Sequence, residues 1–173
     1  LLFSLCMISA LVALSLAVVS RGGKRDGLRT WAGAMGLESL AWGLISVRGM
    51  VPDMASILVP NLLLVSAQSL KLAAVYEFRG LPWPRWRCLL PVLLMSVLLG
   101  SLDYGDFRHR LIYGSLIYAA QMLLLVEVLG TDTGSRKGRA WWLLFGATVA
   151  IIPIFILRAL AALASTAPFA TVE

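Results

Sequence analysis

Apolar residues run along this chain in blocks of roughly 20, and the polar positions between the blocks are charged residues, Gly or Pro. A helix rises about 1.5 Å per residue, so a block of that length matches the roughly 30 Å hydrocarbon core of a bilayer. Six blocks are expected to be helices, spanning residues 1–20, 30–47, 54–76, 88–102, 111–129 and 140–164, the fourth being the shortest. The connections are too short to hold a separate soluble domain. The pattern therefore predicts a single all-α polytopic membrane domain, a bundle of six transmembrane helices.

Charge in the connections sets the expected orientation. Arg21, Lys24, Arg25 and Arg29, then Arg79, Arg85 and Arg87, then Arg136, Lys137 and Arg139 fall in alternate connections, against Arg48, Arg108 and Arg110 in the others. The positive-inside rule places the richer side in the cytoplasm and both chain ends on the extracytoplasmic side. Trp31, Trp83, Trp86, Trp141 and Trp142 fall at that same boundary, where amphipathic indoles concentrate, whereas Trp42 lies inside the second block. The first block has no initiating Met, basic leader or small-residue cleavage site, and basic residues follow it. It is read as a span whose start has been trimmed, not as a secretory signal.

Composition removes several classes of function. With 60% hydrophobic and 14% charged residues, against about a quarter charged in soluble domains, a soluble globule is excluded. The net charge of +6 is dispersed in short clusters, which argues against a nucleic-acid partner. Two cysteines and one histidine make neither a four-ligand zinc site nor a disulfide framework, so no metal or cofactor is expected. Cys6 and Cys88 are expected at opposite sides of the bilayer, too far apart to pair. His109 sits in an outer loop without a nucleophile motif, and there is no Gly-rich phosphate loop, Gly-x-Ser-x-Gly or His-Glu-x-x-His. No catalytic residue is assigned.

Polar groups inside apolar blocks are then the candidates for function. Glu38 lies about 12 Å from the inner end of its block at 1.5 Å per residue, close to the midplane, where it must be protonated, paired or facing a polar cavity. Its two readings are a structural interhelical bond and contact with a ligand. Asn61, Gln68 and Lys71 share one face of the third block. Arg158 in the sixth block reaches the depth of Asn61, and Tyr118 and Gln121 share a face of the fifth. Lys71 and Arg158 are each expected to snorkel toward the nearer headgroups. Together, Glu38, Asn61, Gln68, Arg158, Tyr118 and Gln121 form the expected ligand lining.

Other positions carry packing information. Ala32, Gly36, Ser39, Gly43 and Ser46 place small residues along one helix face, which lets a second backbone approach. Packing within the bundle is the main expectation for this seam, and a homodimer contact centred on Gly36, Ser39 and Gly43 is the alternative. Residues 77–87 (EFRGLPWPRWR) are expected to lie flat at the headgroups as a non-helical anchor. The Pro60–Asn61 pair and Pro153 are expected to interrupt their spans as ordinary kinks, although similar breaks occur at transporter sites.

Residues 27–33 (GLRTWAG), 47–57 (VRGMVPDMASI), 61–64 (NLLL) and 158–163 (RALAAL), taken in order, resemble the N-terminal multi-span sensor region of bacterial diguanylate cyclases. The resemblance covers nearly the whole chain and implies six helices of a seven-helix sensor domain in the bacterial inner membrane. It also implies that a seventh span and a cytoplasmic GGDEF domain making cyclic di-GMP lie outside this segment. The chain contains no Gly-Gly-Asp/Glu-Glu-Phe motif, so catalysis is expected of the parent protein only. The expected partners are the lipid bilayer, a small apolar or amphipathic ligand and a second copy of the chain. Two other functions fit the same residues: a small transporter or channel subunit, from Glu38 and the helix-breaking prolines, and a structural dimerisation module, from the small-residue seam.

Overall fold

The computed structural model describes residues 2–20, 27–52, 54–101, 107–131 and 138–164. Among these, six α-helices and no strand are present: α1 (Leu2–Val19), α2 (Leu28–Ser46), α3 (Val59–Phe78), α4 (Arg85–Ser101), α5 (Phe107–Gly130) and α6 (Arg139–Ala164), with a π-helical turn, Met54–Leu58, leading into α3. Four segments are long and apolar enough to cross a membrane: Leu2–Val19, Ser56–Phe78, Arg108–Gly130 and Trp141–Ala164. The other two expected spans differ from these. α2 dilutes its apolar residues with Gly, Ser, Thr and Trp beside Arg29 and Glu38, and α4 has 17 residues and begins Arg-Trp-Arg. Leu1, the loop charges Arg21, Lys24, Arg25, Arg136 and Lys137, the Asp53 of the family-like stretch and everything after Ala164 lie outside the described residues.

The helices divide into two compact units, Leu1–Ser96 and Val97–Glu173. In the first unit α2 packs against both α1 and α3. α1 is apolar all round and buries only Ser9, the pattern of a helix whose environment is itself apolar. α2 and α3 meet through small side chains: Ala34, Ala41, Ala67 and Ala74 are fully buried. Small residues at an interface let two helix backbones come close.

The ends of these helices have identifiable causes. α2 starts at Gly27, which has φ 76°; a Cβ there would stand 2.5 Å from the Ala74 carbonyl oxygen. The position is thus closed to other residues both by dihedral and by space. α3 stops at Gly80 (φ 65°), where the Leu81 N–H donates to the Tyr76 carbonyl at 2.9 Å and the Gly80 N–H to the Glu77 carbonyl at 3.0 Å. That pair of bonds is a Schellman motif, and Pro82 and Pro84 after it prevent the helix from resuming. The expected flat anchor over residues 77–87 is accordingly shorter. Glu77 and Phe78 belong to α3, and Arg85, Trp86 and Arg87 to α4, because Pro84 supplies a carbonyl that accepts from the Arg87 N–H at 3.0 Å.

The prolines act differently from one another. Pro60 sits in the first turn of α3, where a missing N–H is tolerated, so the expected mid-span break at Pro60–Asn61 is a change from π to α winding. Pro153 lies inside α6 and withdraws a donor from the Val149 carbonyl one turn before it. In the second unit α5 and α6 run antiparallel in contact. Arg108 meets the last turn of α6, Tyr118 stacks on Phe155 with ring centroids 5.4 Å apart, and Gly130 faces Phe145.

Candidate functional site

The α2–α3 seam carries the polar groups. Glu38, near the middle of α2, accepts two bonds on one carboxylate oxygen: from the Lys71 Nζ at 2.6 Å and from the Gln68 Nε2 at 3.1 Å. Gln68 and Lys71 lie three residues apart on α3, hence on one face and one turn. The ion pair is largely enclosed, with the Lys71 and Glu38 side chains 14% and 13% exposed. Lys71 does not snorkel away as expected. An acidic partner within reach on the facing helix gives its ammonium a charge-assisted bond, which an apolar setting strengthens relative to water.

A second polar contact lies on the same seam. The Thr30 hydroxyl donates to a Glu77 oxygen at 2.6 Å. Thr30 is eight residues before Glu38, about 12 Å along α2, and Glu77 is correspondingly later in α3, so both contacts obey one antiparallel register. Sequence reasoning did not pair Thr30 with Glu77. The signal was available, because once Glu38 is paired with Lys71 the antiparallel register brings Thr30 level with Glu77.

The other side of α2 is occupied by α1. Ser39 donates its hydroxyl to the Cys6 carbonyl at 3.0 Å, and its oxygen lies 3.6 Å from the Cys6 Sγ. A Cβ on Gly43 would stand 3.5 Å from that same sulfur, so Ser39 and Gly43 serve the α1–α2 contact. A Cβ on Gly36 would meet nothing within 4 Å. The seam is therefore used within the chain at two of its three central positions. Cys6 and Cys88 are free thiols.

The other residues of the expected lining are described on their own helices. Asn61 donates from its side-chain amide to the Ile57 carbonyl at 2.7 Å, back onto its own helix at the π-to-α junction. Tyr118, Gln121 and Arg158 belong to the second unit. Tyr118 and Gln121 are buried on α5, whereas Arg158 is exposed on α6. Among the described residues, no group of three His, Cys, Asp or Glu side chains is arranged to hold a metal.

One charged contact in the second unit was not expected. Arg108, at the start of α5, donates its Nε to the Ala162 carbonyl at 2.9 Å and its Nη2 to the Leu163 carbonyl at 2.6 Å. The last carbonyls of a helix have no intrahelical donors and carry its negative pole, so a guanidinium is a fitting cap for α6. Among the described residues, the site-like arrangement is thus the Glu38–Gln68–Lys71 cluster, an ionic group between two helices. No protein-family model, curated protein or solved structure matches the chain, so any functional conclusion rests on this geometry and on the residues themselves.

Proposed function

We propose that the chain is a membrane-embedded sensory input domain, six spans of a seven-helix bundle, that regulates a cytoplasmic diguanylate cyclase domain of the same parent protein. The observation that carries this reading is the ionic cluster of Glu38, Gln68 and Lys71 on the α2–α3 seam. A buried ion pair contributes little net stability compared with apolar packing of the same volume, and its best-attested role is to fix one arrangement among alternatives. A seam fixed in this way has two states, pair made and pair broken. A ligand shifts the balance between them only through different affinity for each. An amphipathic molecule whose polar end competes for the donors of Lys71 and Gln68 meets that condition.

The experiment begins with the reading frame beyond Glu173, which under this proposal encodes one further apolar span of about 20 residues and then a GGDEF motif. The full-length protein and its E38Q and K71M variants are then expressed, and cellular cyclic di-GMP is quantified by mass spectrometry. The expected result is a severalfold change in cyclic di-GMP in both variants at equal membrane abundance. Absence of the motif, or cyclic di-GMP levels identical in all three proteins, overturns the proposal.

A further inference from the structure

Where α2 begins and α3 ends, the first unit brings together cationic residues that are distant in sequence. Gly27 packs against Ala74 and Phe78 and Thr30 bonds to Glu77, so Arg29 on the first turn of α2 comes to the same end as Arg79. Arg85 and Arg87 follow on the first turn of α4, just past the Gly80 turn. Arg29 and Arg85 are exposed. Among the described residues, guanidiniums outnumber carboxylates at this end. Among the described residues of the first unit, only Glu38 and Glu77 are acidic, one bonded to Lys71 and the other to Thr30.

The same end also exposes large apolar and aromatic groups. Trp83 is 44% and Trp86 63% exposed, and the Arg87 guanidinium lies 5.3 Å from the centroid of the Trp86 ring. Phe78 and Leu81 are exposed beside them. Indoles prefer the headgroup level of a bilayer, and this surface lies at the end of Ser56–Phe78, a segment of membrane-spanning length. The exposed guanidiniums of Arg29 and Arg85, interfacial tryptophans and the end of a span come together at this end.

We propose that this end of the first unit is a docking surface for anionic phospholipids, in which Arg29 and Arg85 engage the headgroup phosphodiester while Trp83 and Trp86 rest at the acyl boundary. Guanidinium suits a phosphate because its planar fork donates two parallel bonds. A zwitterionic lipid brings its own cation to the same surface and gains less. The inference reaches beyond the sensory reading and holds independently of any output domain.

The test reconstitutes the intact chain in phosphatidylcholine vesicles containing spin-labelled phosphatidylglycerol or spin-labelled phosphatidylcholine, and measures the motionally restricted fraction of each. The expected result is a preference for the anionic lipid at low salt that falls about fivefold for each arginine removed, in R29Q and in R85Q, and that weakens in high salt. R108Q, in the second unit, serves as the control and retains the preference, while circular dichroism confirms equal helix content. Equal retention of the two lipids by the wild type, or an unchanged preference in R29Q/R85Q, overturns the proposal. Displacement of the bound lipid by stoichiometric heparin also overturns it, by identifying the surface as a site for an acidic macromolecule.

Discussion

Removing Lys71 is the most direct perturbation of the α2–α3 seam. In K71M the side-chain volume is nearly kept while the ammonium is lost, and the Glu38 carboxylate keeps only the 3.1 Å bond from Gln68. Glu38 is 13% exposed, so water does not replace the lost partner. Stripping one member from a buried pair typically destabilises by about 3–5 kcal/mol, roughly 6–20 °C in melting temperature for a chain of this size. E38Q/K71M removes both charges and leaves an amide beside Gln68, so most of the loss is recovered. The assay is a double-mutant cycle on detergent-solubilised protein, followed with a thiol-reactive dye that reports Cys88, 5% exposed in the fold. The expected coupling energy is about 2 kcal/mol or more. A coupling below about 0.5 kcal/mol, with K71M and E38Q/K71M melting together, refutes the reasoning and identifies the pair as one the fold does not depend on.

Three further expectations follow from local geometry. Gly27→Ala places a Cβ against the Ala74 carbonyl at a positive φ and is expected to destabilise by about 1–3 kcal/mol, while Gly36→Ala, with open space around its Cβ, is expected to stabilise by about 0.5–1 kcal/mol; thermal melts of both variants check the contrast. Gly43→Cys is expected to form a disulfide with Cys6 under mild oxidant, because a Cβ added at 43 would stand 3.5 Å from the Cys6 sulfur, and intact-mass analysis reads the loss of a pair of hydrogens; a stable free thiol at both positions contradicts the α1–α2 register. Arg108→Gln removes the guanidinium that holds the Ala162 and Leu163 carbonyls, and hydrogen exchange at the last turn of α6 is expected to speed up about tenfold or more, matching the strength of charged hydrogen bonds.

How much of this was legible in the sequence depends on which interaction decided each feature. The helices were readable because block length is a local property, and Gly80 followed by two prolines marks the end of α3 plainly. The π-helical turn before α3 was not readable, since Pro60 is compatible with either a kink or a first helical turn and only the winding of residues 54–58 distinguishes them. Glu38 is recognisable as an expensive residue that needs a partner, but a long lysine near a helix end can equally reach the headgroups, so Lys71 was not marked as that partner. Pairing is a tertiary fact, and the register of α2 against α3 had to be known first. For Asn61 a local bond was available that the stripe did not show, because a short amide reaches a carbonyl one turn back on its own helix. The seam of small residues indicated close approach correctly in kind, while which neighbour approaches at Ser39 and Gly43 is decided by α1, whose uniform apolarity gives no facing direction.

The pairing of Glu38 with Lys71 also bears on biogenesis. Under the six-span reading, α2 carries a midplane carboxylate into the bilayer, and its counter-charge is encoded 33 residues later. At a synthesis rate of about 5–20 residues per second, the interval between the two is roughly 2–7 s. During that interval α2 is a poor substrate for release into lipid, because a lone acidic group at helix centre is penalised by about 2.5–3.5 kcal/mol on the insertion scale. The two helices would then leave the translocation machinery as a hairpin, the second acting as an escort for the first. The order of the genetic message itself would set when the first unit can assemble.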